Sequence, residues 1–412
     1  MKELCFSAAD ILLPDFAKVK GETWACIACD QFTSEPEYWE SVERTVADAP
    51  STLRMILPEL YLGEGDEARI EDIHAAMEDY KDDLLALHKD SMIYLRRVCP
   101  TGKVREGLVG KIDLEAYDYA KDSVSPVRAT EGTVLSRIPP RVRVRRGAAL
   151  EAPHVMLLVD DVSDTVMEIA RSAGGETAYD FDLMEGGGHV TGAFLPASAQ
   201  EKVCVALATL AEGREAPLHF AVGDGNHSLA SAKAYYEELK ASLGDAAKAH
   251  PARYALVEVV NIHSDALVFE PIYRVVFGAD RADLLSAMAD FAATQSSGET
   301  QTVEIVYKEN EICKETFAFD HGAHSLTVGT LQMFLDEYVK THEGVEVDYI
   351  HDEESLVALA SREGAVGFLF DGMSKGELFS AVEKDGALPR KTFSMGSARE
   401  KRYYLECRGI KA

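Results

Sequence analysis

The stretch LHFAVGDGNHSLASAK, residues 218–233, joins a short apolar run to a glycine-rich turn and then to a helical pattern. Phe220 and Val222 favour a strand, because aromatic and β-branched residues suit a pleated surface. Gly223, Asp224 and Gly225 end that strand, and glycine permits positive φ and close approach of a ligand to the backbone. We expect a helix to begin at Asn226.

The start of that helix predicts an anion-binding site. Helix N-termini carry unpaired N–H groups and a partial positive charge, which suit phosphate or carboxylate. With Asn226 as the cap, His227 and Ser228 would lie in the first turn beside the anion, and Asp224 could accept a proton or hold a metal-bound water. The same pattern also suits an ordinary strand-to-helix turn without a ligand, so the stretch alone leaves both interpretations open.

Composition limits the class of protein. The chain has 412 residues, enough for two or three domains or two lobes, and a net charge of −28. That charge argues against nucleic acid and anionic membranes as partners, so an anionic ligand needs a local basic site. Seven scattered cysteines, the lack of a signal-peptide core and the lack of any transmembrane-length apolar run predict a cytoplasmic protein.

One arginine-rich segment, VRATEGTVLSRIPPRVRVRRG at 127–147, stands out in this acidic chain. Arg141, Arg143 and Arg145 alternate with valines, so on a strand their guanidinium groups would share one face suited to phosphate or carboxylate. A solvated edge strand, protected from aggregation by its charges, is the alternative. The turn-like, mixed-charge part of the segment favours a binding site more, and it contains Arg128, Glu131 and Arg137.

Further candidates lie at other strand ends and turns. Thr23–Cys29 is predicted to be a strand, with Asp30 at its end, where open α/β sheets place active sites. His189 follows three glycines and is a candidate ligand contact, although a lone histidine near a turn is more often structural. Cys26 and Cys29 form a C-x-x-C, but they lie in an apolar run without a second ligand pair, which argues against redox or zinc chemistry.

The order of elements predicts the architecture. Strands and helices alternate from Pro153 onward, which favours an α/β fold with a mixed sheet and flanking helices. Met92–Val98 and Gly107–Leu114 are predicted to form a hairpin. We expect residues 1–265 to be the ligand-binding and catalytic region and residues 266–412 to be an α+β C-terminal region, giving two lobes.

Five stretches carry a resemblance to an uncharacterised bacterial and archaeal family, DUF1015: residues 127–145, 181–189, 223–233, 268–276 and 388–396. Most members carry Asp-Gly-His-His-Arg at the central turn, where this chain has Asp-Gly-Asn-His-Ser at 224–228. That signature is similar to the turn of the ParB/sulfiredoxin-like nucleotide-binding fold, which includes free-serine kinases. Family members are also associated with serine-biosynthesis genes.

The resemblance implies a small-molecule phosphotransferase in serine metabolism. A free amino acid such as serine would be the acceptor, ATP, ADP or pyrophosphate the donor, and Mg²⁺ a candidate cofactor. Arg137 and Arg141 would neutralise phosphate or anchor a carboxylate. The chain has neither a Walker P-loop nor a dinucleotide-binding motif, so such a kinase would be unconventional.

The resemblance also implies residue roles. Asp224 and His227 would lie at the transferred phosphate, and Asp30 or Glu131 would deprotonate the attacking hydroxyl. Two other functions use the same site: hydrolysis of a phosphorylated metabolite, with water as acceptor, and nucleotide binding by a regulator without catalysis. A thiol redox protein acting through Cys26 and Cys29 is the fourth possibility.

Overall fold

The structure is a computed structural model that describes residues 4–63, 65–213 and 217–412, and the chain divides into two units. The first unit comprises residues 1–129, 133–267 and 397–412. The second comprises residues 130–132 and 268–396. The segment 397–412 therefore returns to the first unit, and the roles expected for residues 1–265 and 266–412 stay predictions.

The strands of the first unit, up to the boundary, are β1 (Phe6–Ser7), β2 (Ala9–Pro14), β3 (Leu85–Ser91), β4 (Ile93–Val98), β5 (Val104–Asp113), β6 (Tyr117–Asp118), β7 (Val127–Ala129), β8 (Leu150–Glu151), β9 (Met156–Val159), β10 (Glu176–Leu183), β11 (Gly188–Phe194), β12 (Phe220–Asp224) and β13 (Tyr254–Asn261). Its α-helices are α1 (Gly21–Trp24), α2 (Pro36–Val46), α3 (Glu67–Asp83), α4 (Ile138–Arg145), α5 (Thr165–Ala173), α6 (Ala197–Thr209) and α7 (Asn226–Leu243).

The main sheet of the first unit is mixed and has the order β10-β11-β4-β5-β13-β9-β12-β7-β6, with β1 paired to β5. Strand β12 lies antiparallel to β9 and parallel to β7. Strand β9 and its other neighbour, β13, are apolar throughout most of their length, because both faces of the sheet are covered. Helices α5, α6 and α7 pack on one face, and α2, α3 and the C-terminal segment pack on the other.

The second unit is α+β. Its strands are β14 (Phe269–Pro271), β15 (Tyr273–Phe277), β16 (Gln301–Lys308), β17 (Ile312–Phe319), β18 (Glu346–Ile350), β19 (Ala365–Leu369) and β20 (Phe393–Met395). Its helices are α8 (Arg281–Thr294), α9 (Thr327–Thr341), α10 (Glu353–Ala360) and α11 (Glu377–Asp385). An antiparallel sheet of order β17-β16-β19-β15-β18 forms its centre, and β14 pairs with β20.

The C-terminal segment is buried in the first unit. Its strand β21 (Arg408–Gly409) pairs with β8, and Tyr403, Tyr404 and Leu405 are each about 2% exposed. The Arg402 guanidinium donates to the carboxylates of Glu258 and Glu406 at 2.7 and 2.6 Å. Burial of these paired charges fixes the path of the segment through the core.

The expected fold class, α/β with a mixed sheet and flanking helices, is confirmed. The expected hairpin is formed by β4 and β5, with Ile93 opposite Val109, and the expected helix begins at Asn226. None of the helices in the described ranges has the length and apolar character that crossing a bilayer requires.

The predicted strand at Thr23–Cys29 is wrong. Helix α1 (Gly21–Trp24) occupies its start, and Ile27 makes an isolated bridge to Tyr403. Residues 24–28 are fully buried, so the apolar run reflects core packing. Short apolar runs do not distinguish a buried strand from other buried segments.

Candidate functional site

The turn after β12 requires both of its glycines. Gly225 caps α7 with φ of 78°, a left-handed conformation that favours glycine. A Cβ on Gly223 would lie 2.8 Å from Leu158, and one on Gly225 would lie 3.0 Å from the backbone of Val155. Asn226 is thus the first residue of the helix rather than its cap, which corrects the sequence-based assignment.

Asp224 and Asn226 both present unsatisfied oxygens at this turn. Within the described residues, Asp224 Oδ2 and Asn226 Oδ1 are buried and have no hydrogen-bond donor. The closest charge to Asp224 is Lys401, whose Nζ lies 3.6 Å from Asp224 Oδ2. Buried acceptors without donors are costly, so these atoms mark a place for a ligand or an ordered water.

His227 is held as a neutral hydrogen-bond acceptor. The backbone N–H of Val134 donates to His227 Nε2 at 3.3 Å. Burial lowers the pKa of His227, and the positive charges of Arg141 and Arg137 lower it further, with partial compensation from two nearby carboxylates. His227 is therefore neutral at neutral pH, with its proton on Nδ1.

Asp30 lies in the same charged cluster. Burial would raise its pKa, but His154, the Gln31 amide and Lys401 together outweigh burial and keep that pKa below its ordinary value. The Gln31 Nε2 donates to Asp30 Oδ1 at 2.9 Å, and His154 Nε2 lies 3.8 Å from Asp30 Oδ2. Asp30 is thus an ionised carboxylate at neutral pH.

A buried tyrosine orients the ring of His154. The backbone N–H of Cys29 donates to the Tyr404 hydroxyl at 3.2 Å, and that hydroxyl lies 2.7 Å from His154 Nδ1. Burial raises the pKa of Tyr404 far above its usual range, so the phenol keeps its proton. The contact with Tyr404 orients the His154 ring so that its Nε2 faces Asp30.

The three alternating arginines lie on helix α4, so the predicted strand face is wrong. Prolines are tolerated in the first helical turn, and α4 has them there. The helix distributes the guanidinium groups among different carboxylates: Arg141 pairs with Glu59 at 2.8 Å, Arg143 with Asp66 at 2.9 Å, and Arg145 with Glu151 at 2.5 Å. Arg137 approaches Glu59 at 4.0 Å.

A cavity opens beside this cluster in the first unit. It contains about 940 Å³ of empty space, counting the part open to solvent. Its wall includes polar and charged side chains of both signs, namely Glu59, Arg141, Arg145, Glu151, His154, Ser228, Ser231 and Tyr404. Most of the remaining wall is apolar and includes Met55, Ile56, Leu57, Leu62, Met77, Val144 and Leu229. The cavity therefore suits a ligand with one charged end and one apolar or aromatic body.

Two further sequence-predicted residues, Arg128 and Glu131, make contacts within their own units. Arg128 is buried on β7 opposite Ala221, and its Nε donates to the Ser125 carbonyl at 2.7 Å. Glu131 belongs to the second unit, where it bridges to Leu388.

His189 is partly exposed on a hairpin of the first unit. Its ring nitrogens lie 2.7 Å from Asp182 and 2.9 Å from Asp180. The hydrogen bond to Asp182 raises the pKa of His189, and the bond to Asp180 adds to this against partial desolvation. Both nitrogens of His189 are therefore engaged within its own hairpin.

The cysteine pair is unsuited to redox chemistry. Neither Cys26 nor Cys29 forms a disulfide, and burial raises the pKa of each thiol to about 12. A reactive cysteine needs a lowered pKa, because the thiolate is the nucleophile.

Metal binding has no preformed cluster here: across residues 4–63, 65–213 and 217–412, no group of three or more His, Cys, Asp or Glu side chains is arranged to hold an ion. Asp224 Oδ2 is nevertheless a hard oxygen without a donor, which fits one ligand of a Mg²⁺ ion that is otherwise coordinated by phosphates and water.

The fold and this cluster define an α/β protein with a charged strand-to-helix turn. The chain belongs to the family described as protein of unknown function (DUF1015), whose model matches residues 14–338. No curated protein matches the chain.

Solved structures with similar folds are remote. Free serine kinase in complex with AMP is 13% identical with a TM-score of 0.39, covering 76% of this chain and 94% of that one. A conserved hypothetical protein from Pyrococcus furiosus is 11% identical with a TM-score of 0.35, covering 73% and 94%. SbnI with C-terminal truncation from Staphylococcus aureus is 11% identical with a TM-score of 0.36, covering 74% and 87%. Similarity at this level carries no argument about activity.

Proposed function

We propose that the protein is a cytoplasmic small-molecule phosphotransferase that transfers a phosphoryl group from a nucleotide or pyrophosphate to a hydroxyl acceptor. One observation carries the proposal: a carboxylate (Asp30), a cation (Lys401) and an unsatisfied acid (Asp224) are linked by close electrostatic contacts at the N-terminus of α7. Phosphoryl transfer depends mainly on positioning and charge neutralisation, and these groups supply both.

The donor phosphates fit the first turn of α7. The N–H groups of the first helical turn have no intrahelical partner and attract anions. Lys401 adds a charge from the C-terminal segment, and Arg141 adds one from α4. Neutral His227 adds a hydrogen-bonding group without repelling a cation. The family's resemblance to nucleotide-binding proteins and the largely apolar cavity together support a nucleotide donor.

Asp30 is the base in this proposal. It is ionised, and His154 and Gln31 fix its orientation. The acceptor hydroxyl gives its proton to Asp30 while its oxygen forms a bond to phosphorus, and the bridging P–O bond of the donor breaks. The leaving phosphate keeps that electron pair, and the cations stabilise it. A Mg²⁺ ion, where required, would arrive with the donor and be held by Asp224, adding charge neutralisation.

Serine is the first acceptor to test, because of the turn's resemblance to free-serine kinases. The cytoplasmic location is supported by seven cysteines that form no disulfide. Glu131 remains a second predicted base, Arg128 and His189 remain predicted ligand contacts, and Gly223, Gly225, Asn226 and Ser228 remain predicted phosphate contacts.

A thermal-shift screen tests donor binding. The purified protein is heated with ATP, ADP, pyrophosphate or phosphoserine, each with and without Mg²⁺ and serine, since ligands that bind the native state raise its melting temperature. A rise with a donor that grows when serine is added is expected. Product formation is assayed on the same protein. Release of phosphate without any acceptor would indicate a hydrolase. A higher melting temperature with nucleotide, but no product with any acceptor, would indicate a regulator.

A further inference from the structure

The second unit contains a buried arginine that forms no ion pair with any carboxylate in the described part of the chain. Arg274, on β15, is 0% exposed, and its Nη2 has no hydrogen-bond partner. Its Nε donates to Gln332 Oε1 at 2.6 Å, and its Nη1 donates to the carbonyl of Ile272. No carboxylate among the described residues forms an ion pair with it. Burying an uncompensated charge is expensive, so a fully buried, unpaired guanidinium indicates an absent anion.

A second cation contacts the same tyrosine ring. The Arg274 guanidinium lies 4.6 Å from the centre of the Tyr349 ring, and the Lys391 ammonium lies 5.5 Å from that centre. The two charges are therefore within about 10 Å of each other. Lys391 adopts a φ of 57°, which is uncommon for a residue other than glycine, and no described carboxylate pairs with it.

Three of the stretches that carry the family resemblance, 127–145, 268–276 and 388–396, contribute residues to this part of the second unit. Strand β14 (Phe269–Pro271) pairs with β20 (Phe393–Met395), which brings 268–276 and 388–396 together. Glu131 bridges to Leu388 within the same unit. The phosphotransferase proposal assigns no role to Arg274 or Lys391.

We propose that the second unit binds a small oxyanion, a phosphate or a carboxylate group, between Arg274 and Lys391. Arg274 offers its unused Nη2–H, while Lys391 attracts the anion from the solvent side. Tyr349 and Gln332 hold Arg274 in place. Glu131 and Asp336 act on the Arg274 charge from a distance, and they would oppose a strongly charged anion more than a singly charged one.

The electrostatics agree with this geometry. Burial lowers the pKa of Arg274 to about 10, while Tyr349, Glu131 and Asp336 act in the opposite direction. A bound anion would offset that burial and stabilise the charged guanidinium. In a chain of net charge −28, two cations that pair with no carboxylate of the described ranges are not explained by general surface charge.

Calorimetric titration of the full chain with inorganic phosphate tests the site. The measurements use a Lys401→Met background, which removes a cation of the first unit's cluster. In that background, Lys391→Ala is expected to weaken phosphate binding about tenfold, as for loss of one charged hydrogen-bond donor. Arg390→Ala, which removes an exposed charge of the same turn, is expected to leave binding unchanged. If the Lys391→Ala protein in this background binds phosphate as tightly as the Lys401→Met protein does, the proposal is wrong.

Chemical protection locates the anion and identifies its class. Lys391 is exposed, so its acetylation rate can be followed by peptide mass spectrometry with exposed Lys384 as the reference. Phosphate or acetate is expected to slow modification of Lys391 relative to Lys384, and the more effective anion identifies the chemistry. Unchanged relative rates with both anions would refute this site whether or not the phosphotransferase proposal holds.

Discussion

Lys401 Nζ lies 3.6 Å from Asp224 Oδ2, so the C-terminal segment brings a cation to the turn that ends β12. The side chains are 16% and 13% exposed, respectively, which keeps the pair largely out of water. At this distance the pair is an ion pair but not a hydrogen bond, and the ammonium keeps donors for a ligand. The segment therefore contributes to the candidate site as well as to the core.

Replacing Lys401 should weaken binding of a phosphate donor. Lys401→Met keeps most of the aliphatic side chain but removes the charge, and loss of a charged hydrogen bond corresponds to about tenfold or more in affinity. Titration calorimetry with ATP or pyrophosphate measures the effect. Lys411→Met serves as the control, because Lys411 pairs with Glu78 on the exposed surface. Similar affinities in the two variants would remove Lys401 from the site.

Asp30→Asn should abolish turnover while leaving donor binding in place. The amide cannot accept the proton of the acceptor, and loss of general-base catalysis costs about 10²–10⁴ in rate. Product formation and donor affinity are measured on the same preparation. Full turnover in the variant would exclude Asp30 as the base and would leave Glu131 as the predicted base.

His227 should make stability depend on pH below neutrality. Its folded-state pKa is lowered, so below its ordinary value of about 6.5 the unfolded chain binds more protons than the folded one. The stability contribution is complete above that value and is lost as pH falls. His227→Gln removes this titration but keeps a polar side chain.

The melting temperature of the wild type should therefore fall more than that of His227→Gln between about pH 7 and about pH 5. Scanning calorimetry at several pH values measures both slopes. Parallel slopes would show that the pKa of His227 is the same in the folded and unfolded states.

Arg402→Met should be strongly destabilising. It would leave Glu258 and Glu406 buried without their shared partner, and breaking a buried ion pair costs about 3–5 kcal/mol in free energy of unfolding. Urea denaturation provides the value. The control is Arg44→Met, because the exposed pair of Arg44 and Glu40 at 3.9 Å should contribute less than about 1 kcal/mol. Comparable losses in both variants would contradict the role of the buried network.

The central strand, turn and helix could be predicted because local chemistry determines them. Glycines at 223 and 225 stop β12, and helical spacing from Asn226 starts α7. The N-cap prediction was wrong because both Asn226 and Gly225 suit that position. Gly225 takes it because it lies close to the backbone of Val155, where a Cβ would be crowded.

The incorrect strand predictions also arise from tertiary packing. Valine and arginine alternate at 141–145 with the period of a strand, yet the segment is helix α4, which packs against α7. Residue propensity and the spacing of apolar residues predict secondary structure poorly where tertiary contacts determine it. Asp30 was found by the argument that its preceding residues form a strand, although they do not.

Lys401, His154 and Tyr404 were missed because nothing local marks them. The basic and aromatic run REKRYY at 399–404 was the available signal. Its burial depends on the long return of the chain to the first unit, which no short-range pattern encodes.

The central claim is phosphoryl transfer to a hydroxyl at the turn after β12. The most direct measurement is ³¹P NMR of the purified wild-type protein with ATP, Mg²⁺ and serine, followed over time beside the Asp30→Asn protein. The account predicts a phosphomonoester signal that grows with loss of the donor's terminal phosphate in the wild type and is absent with Asp30→Asn. Equal phosphomonoester formation by both proteins, or binding of ATP with no transfer to any hydroxyl acceptor, would contradict it.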